Sequence, residues 1–152
     1  MEKIRGFERV TRTNGEEQDF LLPKRMTKHS AGYDFFSPED VEIKPNEKYL
    51  IKTGIKSYFQ EDEGLFIYPR SSFGFKHGIM LANTIGVIES DYYNNESNEG
   101  EICVKLFNTS DKVFNITKGD RFCQAVFKKF LITDDDNAES VRTGGMGSTG
   151  TK

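Results

Sequence analysis

Residues 41–53 read Val-Glu-Ile-Lys-Pro-Asn-Glu-Lys-Tyr-Leu-Ile-Lys-Thr, and they decide the fold class. In the first four positions apolar and charged residues alternate, which is the pattern of a β-strand with one buried face. The Pro-Asn-Glu triplet at 45–47 is typical of a turn, and a second β-prone run follows at 49–53. This stretch therefore predicts a strand, a turn and another strand.

The rest of the chain repeats the same pattern. Short β-prone runs are separated by Gly, Pro, Asn and Asp, with another turn at 117–120, and helical periodicity is almost absent. Only 71–78 could hold a short helix, which would begin after Pro69. The further predicted strands are 6–10, 65–68, 79–81, 102–107 and 122–128. Many short strands at this spacing predict an all-β sandwich, jelly roll or barrel.

Composition limits the function classes. The 152 residues predict one domain, and a hydrophobic content of 36% is low for a monomer of this length, even with 13 Phe and 6 Tyr. We therefore expect that association with other copies adds buried surface. A net charge of −3, with both signs mixed along the chain, argues against a general nucleic-acid binder. With no apolar run long enough for a membrane and no signal region, we expect a soluble, cytoplasmic or otherwise intracellular protein.

The two cysteines each lie in an apolar run. Cys103 stands between Ile and Val, and Cys123 follows Phe122. We interpret both as reduced thiols packed in strands, although sequence does not exclude a disulfide.

Two stretches before residue 100 could carry chemistry. Residues 69–74 read Pro-Arg-Ser-Ser-Phe-Gly, in which Arg70 and two hydroxyls could bind phosphate oxygens; a helix N-cap and a surface arginine explain them equally well. Residues 86–92 read Gly-Val-Ile-Glu-Ser-Asp-Tyr, which could deliver a general base beside an aromatic platform. The alternative there is a strand end followed by an acidic turn.

Two later stretches are similarly ambiguous alone. Residues 119–125 read Gly-Asp-Arg-Phe-Cys-Gln-Ala, where Gln124 could face a ligand or a structural Asp120–Arg121 pair could stabilise a turn. Residues 142–150 read Arg-Thr-Gly-Gly-Met-Gly-Ser-Thr-Gly and could wrap a polyphosphate with backbone N–H groups, hydroxyls and a guanidinium. They do not form a P-loop, and such a tail taken alone is usually disordered.

Together and in this order, these stretches resemble the five motifs of trimeric dUTP pyrophosphatases (dUTPases). The resemblance covers about residues 20–150. Its motifs here are 31–37 (Ala-Gly-Tyr-Asp-Phe-Phe-Ser), 69–72 with 76–79 (Lys-His-Gly-Ile), 81–92, 119–124 and the glycine-rich tail.

The resemblance implies a jelly-roll (β-clip) subunit in a homotrimer whose active sites draw motifs from all three chains. Residues 1–133 would form the β domain, and 134–152 a flexible C-terminal arm that carries the fifth motif and becomes ordered over the nucleotide. The reaction would convert dUTP to dUMP and pyrophosphate by attack of water on the α-phosphorus. The triphosphate and water would hold Mg²⁺, with no metal ligand from a side chain.

The resemblance also implies roles for single residues. Glu89 would be the general base, and Asp34 would belong to the acidic network at the site. A β-hairpin from Asn83 to Tyr92 would hold uracil through backbone groups and the Asn83 side chain, and Tyr92 would pack under the deoxyribose and exclude a ribose. The residues expected to bind substrate are Arg70, Ser71, Ser72, Asn83, Gly86, Tyr92, Gln124, Arg142, Met146, Gly147, Ser148 and Thr149.

Four features depart from the family pattern, one of which is an arm that is one residue shorter than the common form between Arg142 and Gly145. Glu89 stands where the family usually has Asp, which adds a methylene to the candidate base. Met146 stands where an aromatic residue commonly stacks on uracil. The polar stretch 94–100 resembles an insertion, which is either a plain surface loop or a binding element for a protein partner.

Two alternative functions stay open at this point. The first is a dUTP-binding regulatory or interaction protein with weak turnover, to which Glu89 and the 94–100 stretch point. The second is a dCTP deaminase of the same fold, which would need cytosine recognition and a different catalytic set.

Overall fold

The computed structural model describes residues 1–13, 22–140, 142–147 and 149–150. The described residues form eleven strands, one α-helix and two 3₁₀ turns, Thr11–Thr13 and Ser90–Tyr92. The strands are β1 (Gly6–Arg9), β2 (Tyr33–Phe36), β3 (Val41–Ile43), β4 (Lys48–Lys52), β5 (Ile55–Tyr58), β6 (Glu63–Pro69), β7 (Ile79–Leu81), β8 (Gly86–Glu89), β9 (Cys103–Asn108), β10 (Phe114–Ile116) and β11 (Arg121–Lys129).

The strands pair into two larger sheets and two short ribbons, all antiparallel. The four-stranded sheet has the order β2-β11-β6-β8, and the three-stranded sheet has the order β4-β9-β7. The ribbons pair β1 with β5 and β10 with β3. Strand β11 is hydrogen-bonded to β2 on one side and to β6 on the other, so it lies in the middle of the sheet that carries most of the predicted motifs.

The core lies between the inner faces of these sheets. It contains Leu65 of β6, Leu106 of β9 and Phe122 of β11, each with no exposed surface. The alternation in β3, with Val41 and Ile43 buried and Glu42 exposed, is the pattern predicted from 41–53. Because large apolar side chains from both sheets meet there, hydrophobic burial holds the layers together.

The one α-helix among the described residues, α1 (Ser71–His77), follows β6 directly. It buries Phe73 and ends at Gly78, whose φ of 65° is the left-handed conformation in which glycine is favoured. The helix predicted near 71–78 is therefore confirmed. No helix in the described part of the chain is long and apolar enough to cross a membrane.

The strand predictions are largely confirmed, and the omissions share a cause. Strands 41–43 and 79–81 have the predicted bounds, and the other predicted strands differ by one or two residues at their ends. Strand β8 was predicted only as the apolar run of the 86–92 motif and not as one of the strands. Strands β2, β5 and β10 were not predicted at all. Each of these is short and places a polar residue in mid-strand, namely Asp34, Lys56 and Asn115, which obscures the apolar pattern. Both cysteines are free thiols, as predicted.

Candidate active site

A first polar cluster, which we call the phosphate cluster, forms where β2, β11 and β6 meet the start of α1. Gln124 of β11 stands opposite Asp34 on one side and Tyr68 on the other. Its amide Nε2 donates to the Pro69 carbonyl at 3.4 Å. Arg70 lies between strand and helix and donates to the Arg121 carbonyl at 3.4 Å. The sheet thus brings motifs distant in sequence into one place.

Arg121 is a member of this cluster that the predicted site lacks. Its guanidinium forms an ion pair with Asp34 at 3.2 Å, with both side chains partly buried. Asp120 instead accepts a hydrogen bond from the Thr117 backbone N–H at 2.9 Å within the turn. The structural pairing of Asp120 with Arg121 is therefore not what the structure shows. The predicted acidic network at Asp34 is here a neutralised pair, since the arginine supplies the opposite charge.

Gly32 is a second residue that the predicted site lacks. A Cβ at this position would lie 2.3 Å from Oε1 of Gln124 and 3.2 Å from its Cβ. Any side chain here would displace the Gln124 amide, so glycine is required by close approach. The sequence does show a glycine inside motif 31–37. The need for glycine there becomes clear only when β2 is paired with β11, because this pairing brings Gln124 against Gly32.

The serines beside Arg70 differ in accessibility. Ser71 is exposed at the first position of α1, and Ser72 is partly buried. Neither provides a side-chain cap, since the N-cap position is Arg70 and it has no side-chain capping hydrogen bond. The interpretation of this stretch as a serine-capped helix is therefore wrong, and the exposed Ser71 hydroxyl faces solvent next to Arg70.

A second cluster, the carboxylate cluster, lies at the end of β8. It contains Glu89, whose side chain is 54% exposed, and Asp91 and Tyr92 of the following 3₁₀ turn. Arg142 of the C-terminal arm reaches both acids, with Nη2 at 3.0 Å from Oε2 of Glu89 and Nε at 3.3 Å from Oδ1 of Asp91. The guanidinium also lies over the Tyr92 ring, 5.7 Å from its centroid.

Tyr92 is fixed by hydrogen bonds at its hydroxyl group. Only 4% of the residue is exposed, and its hydroxyl donates to the Glu101 carbonyl at 2.7 Å and accepts from Asn98 Nδ2 at 2.8 Å. Burial raises the pKa of Tyr92 above its ordinary value. The side chain is therefore a neutral, rigid platform under Arg142.

The segment from Asn83 to Tyr92 is not the predicted β-hairpin. Strand β7 pairs with β9 and β8 pairs with β6, so the two strands lie in different sheets. A turn joins them, in which the Thr84 N–H bonds to the Leu81 carbonyl at 3.0 Å. The reason is that this turn carries the chain from one sheet to the other. Asn83 is exposed on the turn.

Gly86 begins β8 immediately after this turn and is buried. A Cβ there would lie 2.9 Å from the Cβ of Ile67. Its backbone can therefore lie against β6 because it has no side chain.

The predicted arm residues divide into two groups. Arg142 is in the carboxylate cluster, whereas Met146 is 66% exposed and Gly147 has no atom within 4 Å of a Cβ built on it. Thr149 is exposed, and Ser148 lies outside the described residues. Among the described residues of the arm, Arg142 is the predicted site residue that lies in one of the two clusters.

The two clusters do not meet within one chain. Glu89 stands opposite Gly64 of β6, and Gln124 stands opposite Tyr68. Four residues of strand separate these positions, which corresponds to about 13 Å along the sheet. Positions 64 and 68 share a face because side chains alternate, so the clusters face the same side but lie well apart.

Comparison with known proteins decides the family, because the dUTPase family model matches residues 18–150. The chain belongs to the dUTPase family. It is 49% identical over 150 residues to the deoxyuridine 5'-triphosphate nucleotidohydrolase of Lactococcus lactis subsp. lactis, covering 97% of this chain and 99% of that protein. The corresponding protein of Nautilia profundicola is 42% identical over 138 residues, covering 88% and 93% of the two chains.

Solved structures agree with this assignment. The crystal structure of the Streptococcus mutans dUTPase is similar with a TM-score of 0.74 and 41% identity, covering 85% of this chain and 98% of that one. The dUTPase of phage phi11 of S. aureus has a TM-score of 0.71 at 20% identity, over 91% and 97% of the two chains, and supports the fold alone. The predicted dUTPase family, enzyme class and jelly-roll fold are therefore confirmed.

Proposed function

We propose that this dUTPase family member hydrolyses dUTP to dUMP and pyrophosphate at sites shared between copies of the chain, with Glu89 as the general base. The observation that carries this proposal is the separation of the phosphate and carboxylate clusters on one sheet. A base must be within hydrogen-bonding reach of the water that it activates. Because about 13 Å separates the clusters along one sheet, a second copy has to supply the missing half.

Exposed apolar surface supports the association of copies. Val87, two residues before Glu89 on β8, is 53% exposed, and Leu131 and Ile132 after β11 are 96% and 70% exposed. Apolar surface near a functional cluster is typical of an interface. We propose that these residues are covered in a homotrimer, the assembly that the motif pattern implies.

The phosphate cluster would bind the triphosphate. Arg70 can hold phosphate oxygens bidentately, while the exposed Ser71 hydroxyl and the Gln124 amide add neutral donors. Arg121 is paired with Asp34, so Arg70 is the cation of this cluster that we assign to phosphate.

The base would be supplied by another copy. Glu89 would accept a proton from water as the water oxygen attacks the α-phosphorus. The bond between the α-phosphorus and the α,β-bridging oxygen then breaks. Pyrophosphate leaves with the electron pair of that bond.

Selection of the nucleotide would come from the turn before β8 and from Tyr92. The exposed Asn83 amide and the backbone groups of the turn can match the donors and acceptors of uracil, and a mismatched base would leave polar groups unpaired. The deoxyribose would pack against Tyr92 in the place that the Arg142 guanidinium takes in this chain. Since hydrogen bonds hold Tyr92, its ring would not yield to a ribose 2′-hydroxyl.

Magnesium would be held by the substrate. The described residues contain no group of three His, Cys, Asp or Glu side chains placed to hold a metal ion. Magnesium commonly keeps water and substrate phosphates as ligands, and this donor set fits a site where the nucleotide brings the ion. When bound there, it would neutralise part of the triphosphate charge.

The activity is tested by pyrophosphate release from dUTP, dCTP, dTTP and UTP with magnesium. We expect release from dUTP alone, and a fall in kcat on the order of 10²–10⁴-fold for Glu89→Gln. Glu61→Gln, a change at an exposed carboxylate outside both clusters, is the matched control. Full activity of Glu89→Gln would remove Glu89 as the base, and ammonia release from dCTP would indicate a deaminase instead.

Glu89→Asp separates the enzyme from a slow regulatory binder. An extra methylene can misplace a catalytic group enough to change the rate on the order of 10²-fold. If the site is built for glutamate, Glu89→Asp lowers kcat. Tight dUTP binding with little release, restored by Glu89→Asp, would instead favour a nucleotide-binding regulatory protein.

Shared sites are tested by mixing two inactive variants, Arg70→Ala and Glu89→Gln. After dissociation and reassembly at equal concentrations, about a quarter of all sites would combine an intact Arg70 with an intact Glu89 from another copy. Recovery of activity is expected. No recovery, or a monomer by light scattering, would contradict the shared site.

A further inference from the structure

The 94–100 stretch is a turn built on two asparagine side chains. Asn95 is 7% exposed, and its Oδ1 accepts hydrogen bonds from the backbone N–H groups of Ser97 and Asn98 at 3.0 and 3.1 Å. Oδ1 of Asn98 accepts from the Gly100 N–H at 3.1 Å and from Nδ2 of Asn95 at 2.6 Å. The two asparagines therefore fix the conformation of the turn through one connected set of hydrogen bonds.

This 94–100 turn holds Tyr92 at both of its ends. The backbone N–H and Nδ2 of Asn95 donate to the Tyr92 carbonyl at 3.2 and 2.8 Å. At the far end of the side chain, Nδ2 of Asn98 donates to the Tyr92 hydroxyl at 2.8 Å, and this hydroxyl donates to the Glu101 carbonyl at 2.7 Å. Since Asn95 also bonds to Asn98, the ring can tilt only if the turn moves with it.

Gly100 closes the turn against the residue that it holds. Its φ of 84° lies in the left-handed region, where glycine is favoured. A Cβ there would lie 2.7 Å from the Tyr92 carbonyl oxygen and 2.9 Å from Cα of Tyr93. The end of the 94–100 turn is therefore in direct contact with the backbone that carries the Tyr92 ring.

An ion pair fastens the turn to the body of the domain. Lys56 of β5 donates to Oε1 of Glu99 at 2.8 Å and to Oδ1 of Asn94 at 2.6 Å. Thr11 donates to the same carboxylate through its hydroxyl at 2.6 Å and its backbone N–H at 3.0 Å. The Lys56 side chain is only 11% exposed, so this contact is largely shielded from solvent. The turn is thus fixed on the side away from Tyr92 as well.

We propose that the 94–100 turn is a brace that makes the Tyr92 ring discriminate deoxyribose from ribose, and that Asn98 is its positioning residue. The inference rests on the proposed function, in which the deoxyribose packs against Tyr92. A ring excludes one additional oxygen atom only if it cannot shift to make room, and hydrogen bonds from a rigid support provide this resistance. Asn98 acts through the Tyr92 hydroxyl and takes no part in the chemical step.

Asn98→Ala tests the brace, because it removes the donor to the Tyr92 hydroxyl. The dissociation constants of dUMP and of its ribose counterpart UMP are measured by calorimetry on the full chain. We expect the ratio of the UMP constant to the dUMP constant to fall about fivefold, which corresponds to one hydrogen bond. The dUMP constant itself should change by less than about twofold. Asn115→Ala makes the same change at an exposed position of β10 and should leave the ratio unchanged.

A Tyr92→Phe background separates positioning of the ring from a general weakening of the turn. Phenylalanine keeps the ring but has no hydroxyl for Asn98 to hold, so Tyr92→Phe alone should lower the ratio at least as much as Asn98→Ala. In this background Asn98→Ala should change the ratio by less than about twofold. Equal losses in the two backgrounds would overturn the positioning role, because Asn98 would then act without the hydroxyl.

Failure of this inference can be told apart from failure of the proposed function. If Asn98→Ala lowers the ratio but the unaltered chain does not hydrolyse dUTP, the brace stands and the proposed function fails. If dUTP is hydrolysed but Asn98→Ala leaves the ratio unchanged, the function stands and the brace is overturned. Equal binding of dUMP and UMP by the unaltered chain would also overturn it, since there would be no discrimination for the brace to provide.

Discussion

Replacing Gly32 by alanine tests how the phosphate cluster is assembled. The new Cβ would lie 2.3 Å from Oε1 and 3.2 Å from Cδ of Gln124, so the amide has to move. The backbone of Gly32 is outside the left-handed region, and alanine therefore adds bulk without backbone strain. A hydrogen bond from Gln124 to a charged phosphate contributes about 1.5–3 kcal/mol. Its loss corresponds to a fall of about tenfold to a hundredfold in kcat/KM for dUTP.

The measurement is kcat/KM from pyrophosphate release, together with the free energy of unfolding in urea. Because overpacking a buried site costs about 1–3 kcal/mol, Gly32→Ala should remain folded. Gly74→Ala is the matched control, since a Cβ there would approach only the Ile79 carbonyl, at 3.8 Å, and alanine stabilises a helix by about 0.5–1 kcal/mol.

A double variant sharpens this test. In a Gln124→Ala background the amide is already absent, so Gly32→Ala should lower kcat/KM by less than about twofold. Unchanged activity in the single Gly32→Ala variant, or losses that multiply in the double variant, would refute the reasoning that Gly32 acts by making room for Gln124.

Three further predictions concern stability and titration. The hydrogen bond from Lys56 is the main cause that lowers the pKa of Glu99 to about 2. The ionised carboxylate therefore stabilises the folded chain above about pH 4.5, and this stabilisation is lost as the pH falls through 2. The free energy of unfolding of Glu99→Gln, measured in urea, should depend less on pH over this range. Burial raises the pKa of Tyr93 to about 12. The neutral phenol therefore stabilises the folded chain below about pH 10, and this stabilisation is lost as the pH rises through 12. The ultraviolet absorbance of tyrosinate is measured against pH for the unaltered chain and for Tyr93→Phe. The difference between the two curves should show a step near pH 12, and a step near pH 10 would contradict the burial of Tyr93. Leu106→Ala should lower the free energy of unfolding by about 2–5 kcal/mol, whereas Val113→Ala, at a residue 50% exposed, should change it by less than about 0.5 kcal/mol.

Much of the fold could be predicted because strand signals are local. The alternation at 41–43 and the apolar runs at 79–81 and 122–128 identify their strands without knowledge of partners. Strand β5 could not be identified this way, because the ammonium group of buried Lys56 is bound by Asn94 and Glu99, which lie 38 and 43 residues further along the chain. Local pattern contains no information on such a distant partner.

For the candidate site, the sequence indicated which residues to consider but contained less information on how they are arranged. Arg70 and Gln124 were expected to act together, and the pairing of β11 with β6 brings them together. Arg121 was missed as a partner of Asp34 because the sequence places it next to Asp120. The position of Arg142 on its own chain was equally hidden, since its ion-pair partners Glu89 and Asp91 lie 53 and 51 residues away in the sequence.

The phosphate cluster and the carboxylate cluster lie on strands of the same sheet that differ in how readily their backbone hydrogen bonds open. Gln124 is on β11, which has a hydrogen-bonded neighbour on each side, whereas Glu89 ends β8, the edge strand of the same sheet. Amide protons of central strands exchange slowest with solvent, and edges and termini open first. Changes along β11 will therefore alter folding and the proposed phosphate binding together, whereas changes at the end of β8 can alter the proposed base at little cost to the fold. Variation in the proposed base Glu89 is accordingly easier for this architecture to accommodate than variation in the residues proposed to bind the phosphates.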